Sequence, residues 1–299
     1  MKSVITLKSM LTLVALVSFS LSAFSQLDLP RKSPKASTTY TIGLTDITIN
    51  YGSPAVNERE IWGALEPYDK VWRAGANEAT TMEFSTDIMI ENQKLTAGKY
   101  SFFIIPKQGE DVKWTVIFNK VADQWGAYDY DESQDALRID IKNKTGERTK
   151  SENRLTYRIV DQSINKGYIR FGWEKARLYI RFRVDYLDGA ITNLESAVAD
   201  TTQNDRHWSF YAQGADFLLS VNEKPELALK WATASTDLLS HGWNWFIRAE
   251  AEAANGDYKS AVQSIAKCKE LDEASEEDNY YTNSKDKIES KLADWSSKT

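Results

Sequence analysis

Between about Ser37 and Tyr186, apolar side chains recur at every second position. Ile47, Ile49 and Tyr51 alternate with Thr48 and Asn50, and Trp114, Val116 and Phe118 alternate with Thr115, Ile117 and Asn119. Tyr100, Phe102 and Ile104 alternate with Ser101, Phe103 and Ile105, so that strand is apolar on both faces and is predicted to lie in the middle of a sheet. Leu155, Tyr157 and Ile159 repeat the pattern, as do Ile169, Phe171 and Trp173, then Leu178, Ile180 and Phe182. Turn-forming clusters separate these runs at residues 97–98, 107–110 and 143–147. A period of two in β-branched and aromatic residues, bounded by turns, predicts strands. Many short strands with little helix between them predict an antiparallel β-sandwich or jelly-roll-like domain, whose strand order the period leaves open.

From about Leu187 the period becomes helical. Leu227, Ala228, Trp231, Ala232 and Leu238 make one stripe; Tyr258, Ala261, Val262, Ile265 and Cys268 make another. The starts of the two stripes, at Asn222-Glu223-Lys224-Pro225 and Asn255-Gly256-Asp257-Tyr258, are offset by 33 residues. That spacing is near the tetratricopeptide period of helix-turn-helix units. Two partial copies predict a short helical appendage that either covers an edge or face of the sheet or docks a partner protein. Residues 273–278 form an acidic connector, and a last helix is predicted over about 277–295. The fold class is therefore α+β.

Residues 1–25 have the pattern of a secretory signal: Lys2 and Lys8, an apolar run over residues 10–21, then Ala23 and Ser25 before a cut ahead of Gln26. The run is too short and wrongly flanked for a membrane span. No cysteine follows it, which disfavours a lipid anchor. The chain thus divides into a signal (1–25), a β domain (26–186) and a helical tail (187–299), exported to the periplasm or beyond. Removing Lys2 and Lys8 leaves 35 of the 37 basic residues against 43 acidic ones, a net of −8. Such a surface repels nucleic acid and anionic lipid.

Candidate chemistry is sparse. The single cysteine, Cys268, sits on an apolar stripe and reads as a core residue. His207 and His241 are the only histidines and lie in different tail segments, so no zinc cluster is expected. Asp129, Asp131, Glu132 and Asp135 lack the central glycine and distal glutamate of a calcium loop and read as a solvated patch. No cofactor is implied.

Residues 67–80, P-Y-D-K-V-W-R-A-G-A-N-E-A-T, fit neither period and concentrate polar groups around a glycine. Loops of this kind on a rigid scaffold carry binding sites. Arg73 and Glu78 flank Gly75 and could meet across a reversal, either as an internal ion pair with Asn77 capping the turn, or as a recognition site. Tyr68, Lys70, Trp72 and Thr80 lie on the same stretch. Trp62 and Trp72 read as core aromatics. Trp125, in a turn-like segment between strands, is the tryptophan expected at the surface, where it could stack on a sugar or other flat ligand.

Further strings carry a resemblance. S-P-K-A at Ser33, I-G-L-T-D-I-T-I-N-Y at Ile42, E-R-E-I-W-G at Glu58 and the W-R-x-G-A-N-E stretch precede L-T-A-G-K-Y-S-F-F-I-I-P at Leu95, W-T-V-I-F-N at Trp114 and Q-W-G-A-Y at Gln124. Over roughly residues 33–185 the chain resembles the exported bacterial family called domain of unknown function 2911. The resemblance implies a secretory signal, a β-rich domain and a helical tail, and no reaction. Asp69 stands where that family pattern suggests glycine, and Ala74 where it suggests threonine.

Three functions remain open. The favoured one is a non-catalytic envelope protein that binds a small polar ligand or surface component through residues 72–80 and Trp125. The second is a hydrolase using Glu78 as acid or base beside Arg73, with Asp69 the one nearby second carboxylate. The third is a purely structural interaction protein working through the tail. A solvent-open Arg73–Glu78 pair would favour the first.

Overall fold

A computed structural model describes residues 29–144, 150–275 and 278–299. Among the described residues, eleven strands form two antiparallel sheets. They are β1 (Lys35–Ile42), β2 (Thr45–Gly52), β3 (Thr80–Phe84), β4 (Ile88–Ile90), β5 (Gln93–Leu95), β6 (Gly98–Ile105), β7 (Lys113–Asn119), β8 (Asp135–Lys142), β9 (Glu152–Val160), β10 (Lys166–Glu174) and β11 (Ala176–Val184). One sheet has the order β1-β2-β3-β6-β7-β8, the other β5-β4-β11-β10-β9. The signal segment predicted over residues 1–25 lies outside the described residues.

The period-two pattern explains both sheets. Inward side chains of one, such as Ile47, Ile49, Met82, Phe84, Phe102 and Phe118, and of the other, such as Tyr157, Ile159, Phe171, Ile180 and Phe182, form a single buried core. As expected, β6 is central, between β3 and β7. Its second apolar face is used too. Phe103, Ile105 and Ile117 point to the outer side, where Ala79, Ala127 and Tyr130 cover them. The outer face of this sheet is therefore roofed over β6 and β7.

β11 ends at Val184, and among the described residues seven α-helices follow: α1 (Leu187–Ala199), α2 (His207–Ser220), α3 (Pro225–Leu238), α4 (Gly242–Ala254), α5 (Tyr258–Ala274), α6 (Tyr280–Asn283) and α7 (Lys285–Ser296). Ala228, Trp231 and Ala232 of α3 pack with Leu218 and Ile247. Ala261, Ile265 and Cys268 of α5 pack with Phe246, Ile288 and Trp295. Two expectations need correction. Leu238, assigned to the α3 stripe, is exposed because it falls in the last helical turn, beyond the neighbouring helices. The final helix is not continuous: α6 ends at Asn283, Ser284 leaves the helical conformation, and α7 starts afresh. Part of the acidic connector, residues 276–277, lies outside the described residues. Among the described residues, no helix is long and apolar enough to cross a membrane.

Candidate functional site

Residues 69–72 and β3 run beside the same strand. Asp69 N donates to Pro106 O at 2.9 Å, Trp72 and Ile104 exchange backbone hydrogen bonds at 2.9 Å, and Thr80 pairs with Phe102. Residues 73–79 are therefore looped out between positions only two residues apart on β6. Inside the loop Ala74 and Asn77 have φ of 51° and 66°, the left-handed region. Asp69, where the family pattern suggests glycine, also sits there at 59°.

Three contacts hold the loop down. Ala74 O accepts from Thr80 Oγ1 at 3.0 Å and from Tyr157 Oη, on the opposite sheet, at 2.8 Å. The backbones of Gly52 and residues 75–76 then approach closely. A Cβ on Gly52 would lie 2.1 Å from Ala76 O, and one on Gly75 would lie 2.7 Å from Thr80 Oγ1. Gly52→Ala must displace the loop, and we expect it to destabilise the fold by about 3 kcal/mol, the upper end for overpacking. Denaturant unfolding measures this, and unchanged stability would mean the loop is not pinned to β2.

The far end of the loop turns outward. Ala79 N donates to Gln124 O at 3.0 Å and Gly126 N to Asn77 O at 3.2 Å, so Glu78 and Trp125 sit side by side. The Glu78 carboxylate accepts from Arg31 Nη1 at 2.7 and 2.8 Å, with Lys35 Nζ at 3.5 Å. The Arg31 hydrogen bond holds its carboxyl below the usual range.

This corrects the central expectation, since Arg73 and Glu78 do not pair. The loop sends them to opposite ends: Glu78 meets the N-terminal segment, and the Arg73 charge acts on Glu66 instead. Arg73 Nε is buried without a partner. Asp69, the nearby carboxylate considered for a hydrolase, pairs with Lys107 at 2.5 Å. Trp72 is core: it stacks on Trp173 and meets Trp62 edge to face. Thr80 is buried under Ala74, and Asn77 Nδ2 reaches Ser33 O at 3.5 Å. Tyr68 lies against Gly63, and Lys70 is exposed. Of the eight expected binding residues, only Glu78 and Trp125 share a cavity.

That cavity is a groove of about 600 Å³ on the outer face of the six-stranded sheet, beside the roofed region. Its floor is a row in register across three strands: Ser37 opposite Asn50, and Asn50 opposite Thr81. These are the polar half of the alternation whose apolar half is Ile49 and Met82. Gln124, Trp125 and Glu78 form one wall, while Lys35 stands at one end and the Lys99–Asp123 pair at the other. Trp125 is 57% exposed.

A second feature has no signal in the sequence. Glu66, paired through its backbone with Trp62, is half-buried, and burial pushes its carboxyl up to about 7 although Arg73, Arg59 and the Trp72 indole all pull it down. The Nε1 atoms of Trp62 and Trp173 are buried without a hydrogen-bond partner among the described residues. A glutamate in an E-P-Y turn carries no periodic signal. Its environment is set by how residues 59–73 fold round it, bringing Arg59, Trp72 and Arg73 to the carboxyl.

Elsewhere the candidate groups have structural duties. Cys268 is buried, and burial pushes its thiol up to about 12, so it is inert. His241 caps α4 by accepting from Trp243 N at 3.1 Å, and His207 Nε2 lies 3.1 Å from Asp200 O. Asp131 caps a short 3₁₀ turn, and Asp135 accepts from Tyr130 Oη at 2.7 Å. Among the described residues, no group of three or more acidic, histidine or cysteine side chains could hold a metal ion.

Two antiparallel sheets with a polar groove on one outer face, followed by a helical region, define a β-sandwich-like protein with a helical tail. The chain belongs to the family described as protein of unknown function (DUF2911), whose model matches residues 33–182. No curated protein and no solved structure matches the chain.

Proposed function

We propose that the protein is exported and, without catalysing a reaction, binds a small polar ligand or envelope component in the groove between Trp125 and the Ser37–Asn50–Thr81 row. One observation carries this reading. Ser37, Asn50 and Thr81 line a concave surface of about 600 Å³, and none of their side chains has a hydrogen-bond partner among the described residues. The volume lies within the roughly 300–1,000 Å³ typical of small-molecule sites. Export rests on the leader pattern of residues 1–25, with the periplasm as the destination and release further out as the alternative.

The hydrolase reading loses its pair. A carboxylate held ionised by Arg31 is a poor proton donor, and Arg73 is not at its side. The tail stabilises the β domain or docks a protein. Its tetratricopeptide-like character rests on the 33-residue offset between the starts of α3 and α5.

Thermal melting tests the groove. A ligand present at about 100 times its Kd stabilises the native state by about 2.7 kcal/mol, which for a chain of this size raises Tm by roughly 5 °C or more. With a panel of neutral disaccharides, short peptides and small carboxylates, we expect at least one such increase. Trp125→Ala should abolish it while leaving the unliganded Tm nearly unchanged. A panel that moves neither Tm nor any groove resonance would leave the structural-protein alternative standing.

A further inference from the structure

We infer that the groove ligand is a neutral saccharide, a pyranose ring laid against Trp125 with its hydroxyls on the Ser37–Asn50–Thr81 row. This rests on the reading above and narrows it to one chemical class.

Four observations select the class. The first is charge. The groove is lined by two cations, Lys35 and Lys99, and two anions, Glu78 and Asp123. They pair with each other, Lys35 to Glu78 at 3.5 Å and Lys99 to Asp123 at 3.7 Å, and Arg31 supplies a further partner for Glu78. Each lining charge already faces one of opposite sign, so an ionised ligand competes with an existing pair, and counting Arg31 the local surplus is a single positive charge. Sites that select charged ligands present a larger field of one sign, left open by partners.

The second is the floor. Its polar groups are two hydroxyls and one primary amide on adjacent strands, about 4.8 Å apart by sheet geometry. They can both donate and accept. A ligand that presents hydroxyls at ring spacing, each donor and acceptor at once, satisfies such a row without specific protonation.

The third is Gln124. It is 8% exposed, lines the groove wall, and has Oε1 buried without a partner. Its orientation is set from behind, since Nε2 donates to Val121 O at 2.7 Å and to Asn119 Oδ1 at 3.2 Å. The acceptor has no free surface as it stands, so a hydroxyl reaches it only when the side chains in front of it give way, and the bond then satisfies an otherwise unpaired group. A sugar hydroxyl is a donor; a carboxylate is not.

The fourth is Trp125. It is the one large aromatic exposed at the groove, next to the polar row. A pyranose has an apolar C–H face and a polar rim, and this wall and floor match the two. A short peptide would be expected to use the unpaired outer edge of β1 through its backbone, whereas the open groups here are side chains on the sheet face.

The test is a titration of the full mature chain followed by amide NMR and tryptophan fluorescence. The probes are cellobiose, maltose and N,N′-diacetylchitobiose, with triglycine and citrate as comparators. We expect at least one disaccharide to bind with resonance changes confined to β1, β2, β3 and residues 122–126. Its Kd should change less than twofold between 50 and 500 mM NaCl. Trp125→Ala should weaken it at least tenfold and Asn50→Ala about fivefold, each variant keeping the parent's melting curve. Citrate or triglycine moving the same resonances while the disaccharides do not would overturn the saccharide assignment and leave the groove reading intact. No probe binding at all would overturn both. Disaccharide binding unaffected by Trp125→Ala and Asn50→Ala would place the sugar elsewhere and overturn the assignment.

Discussion

Trp72→Ala is expected to destabilise the protein by about 3–5 kcal/mol, as for a fully buried aromatic removed from a close-packed core. Trp72 is 4% exposed. Its ring centroid lies 5.6 Å from those of both Trp62 and Trp173, and those two are themselves 5.6 Å apart, so the three rings form one packed triangle between the sheets. Truncating one corner leaves the other two without contact on one side, and neighbours on strands can collapse into the gap only in part. Urea unfolding measures the loss. The contrast with Trp125 is the informative part. The two tryptophans belong to adjoining segments, yet the first should alter stability and not ligand affinity, and the second the reverse. A Trp72→Ala protein that melts like the parent would show that the ring is a surface platform and the core assignment wrong.

Glu66→Gln should raise stability above pH 7 by about 2 kcal/mol and flatten its pH dependence. The sign follows from where the carboxyl titrates in each state. In the unfolded chain it has its ordinary value of 4.5, whereas in the folded protein burial moves it to about 7. Below 4.5 the group is protonated in both states and contributes no pH dependence. Between 4.5 and about 7 the folded state holds a proton that the unfolded state has released, so stability falls as pH rises through this window. Above that window the full penalty of ionising a half-buried carboxylate is present. A tenfold change in proton affinity corresponds to about 1.4 kcal/mol, and partial exposure to solvent reduces the total to about 2 kcal/mol. Glutamine keeps the shape and removes the charge, so the difference between variant and parent should vanish near pH 4 and be complete by about pH 8. Guanidinium unfolding at pH 4, 6 and 8 reads this directly, and a parallel offset at all three values would falsify the linkage. Arg73 and Arg59 already pull Glu66 down, so replacing Arg73 by methionine should enlarge the window rather than close it.

Both predictions concern the stretch that leads into the 73–79 loop, and the loop explains what can be read in advance. Strands are legible because their chemistry is local and repetitive. Alternation such as Thr48-Ile49-Asn50 states which side chains share a face, and the doubly apolar β6 announces a central strand with both faces covered. The site is half legible. Trp125 and Glu78 stand out in the sequence and do share a groove. Arg73 attracts notice by its short spacing from Glu78, but loop direction decides which ends meet, and a loop that leaves and rejoins β6 two residues away carries no periodic signature. Glu78 finds Arg31, 47 residues away in sequence. Gln124 draws no notice, because a glutamine in a turn looks ordinary until its carbonyl is seen to lack a partner.

Sequence alone determined the fold class, the change from a two-residue to a helical period near Leu187, the burial of Trp72 and Cys268, and the acidic balance, because each depends on neighbours along the chain or on simple counting. Tertiary structure alone decided which half of a strand's polar side chains stays uncovered, which cation meets Glu78, and how far burial raises Glu66. Those outcomes depend on what the second sheet and the 73–79 and 122–130 segments place overhead. Such placement is a property of long-range packing in three dimensions, where groups distant in sequence set one another's solvent and charge environment.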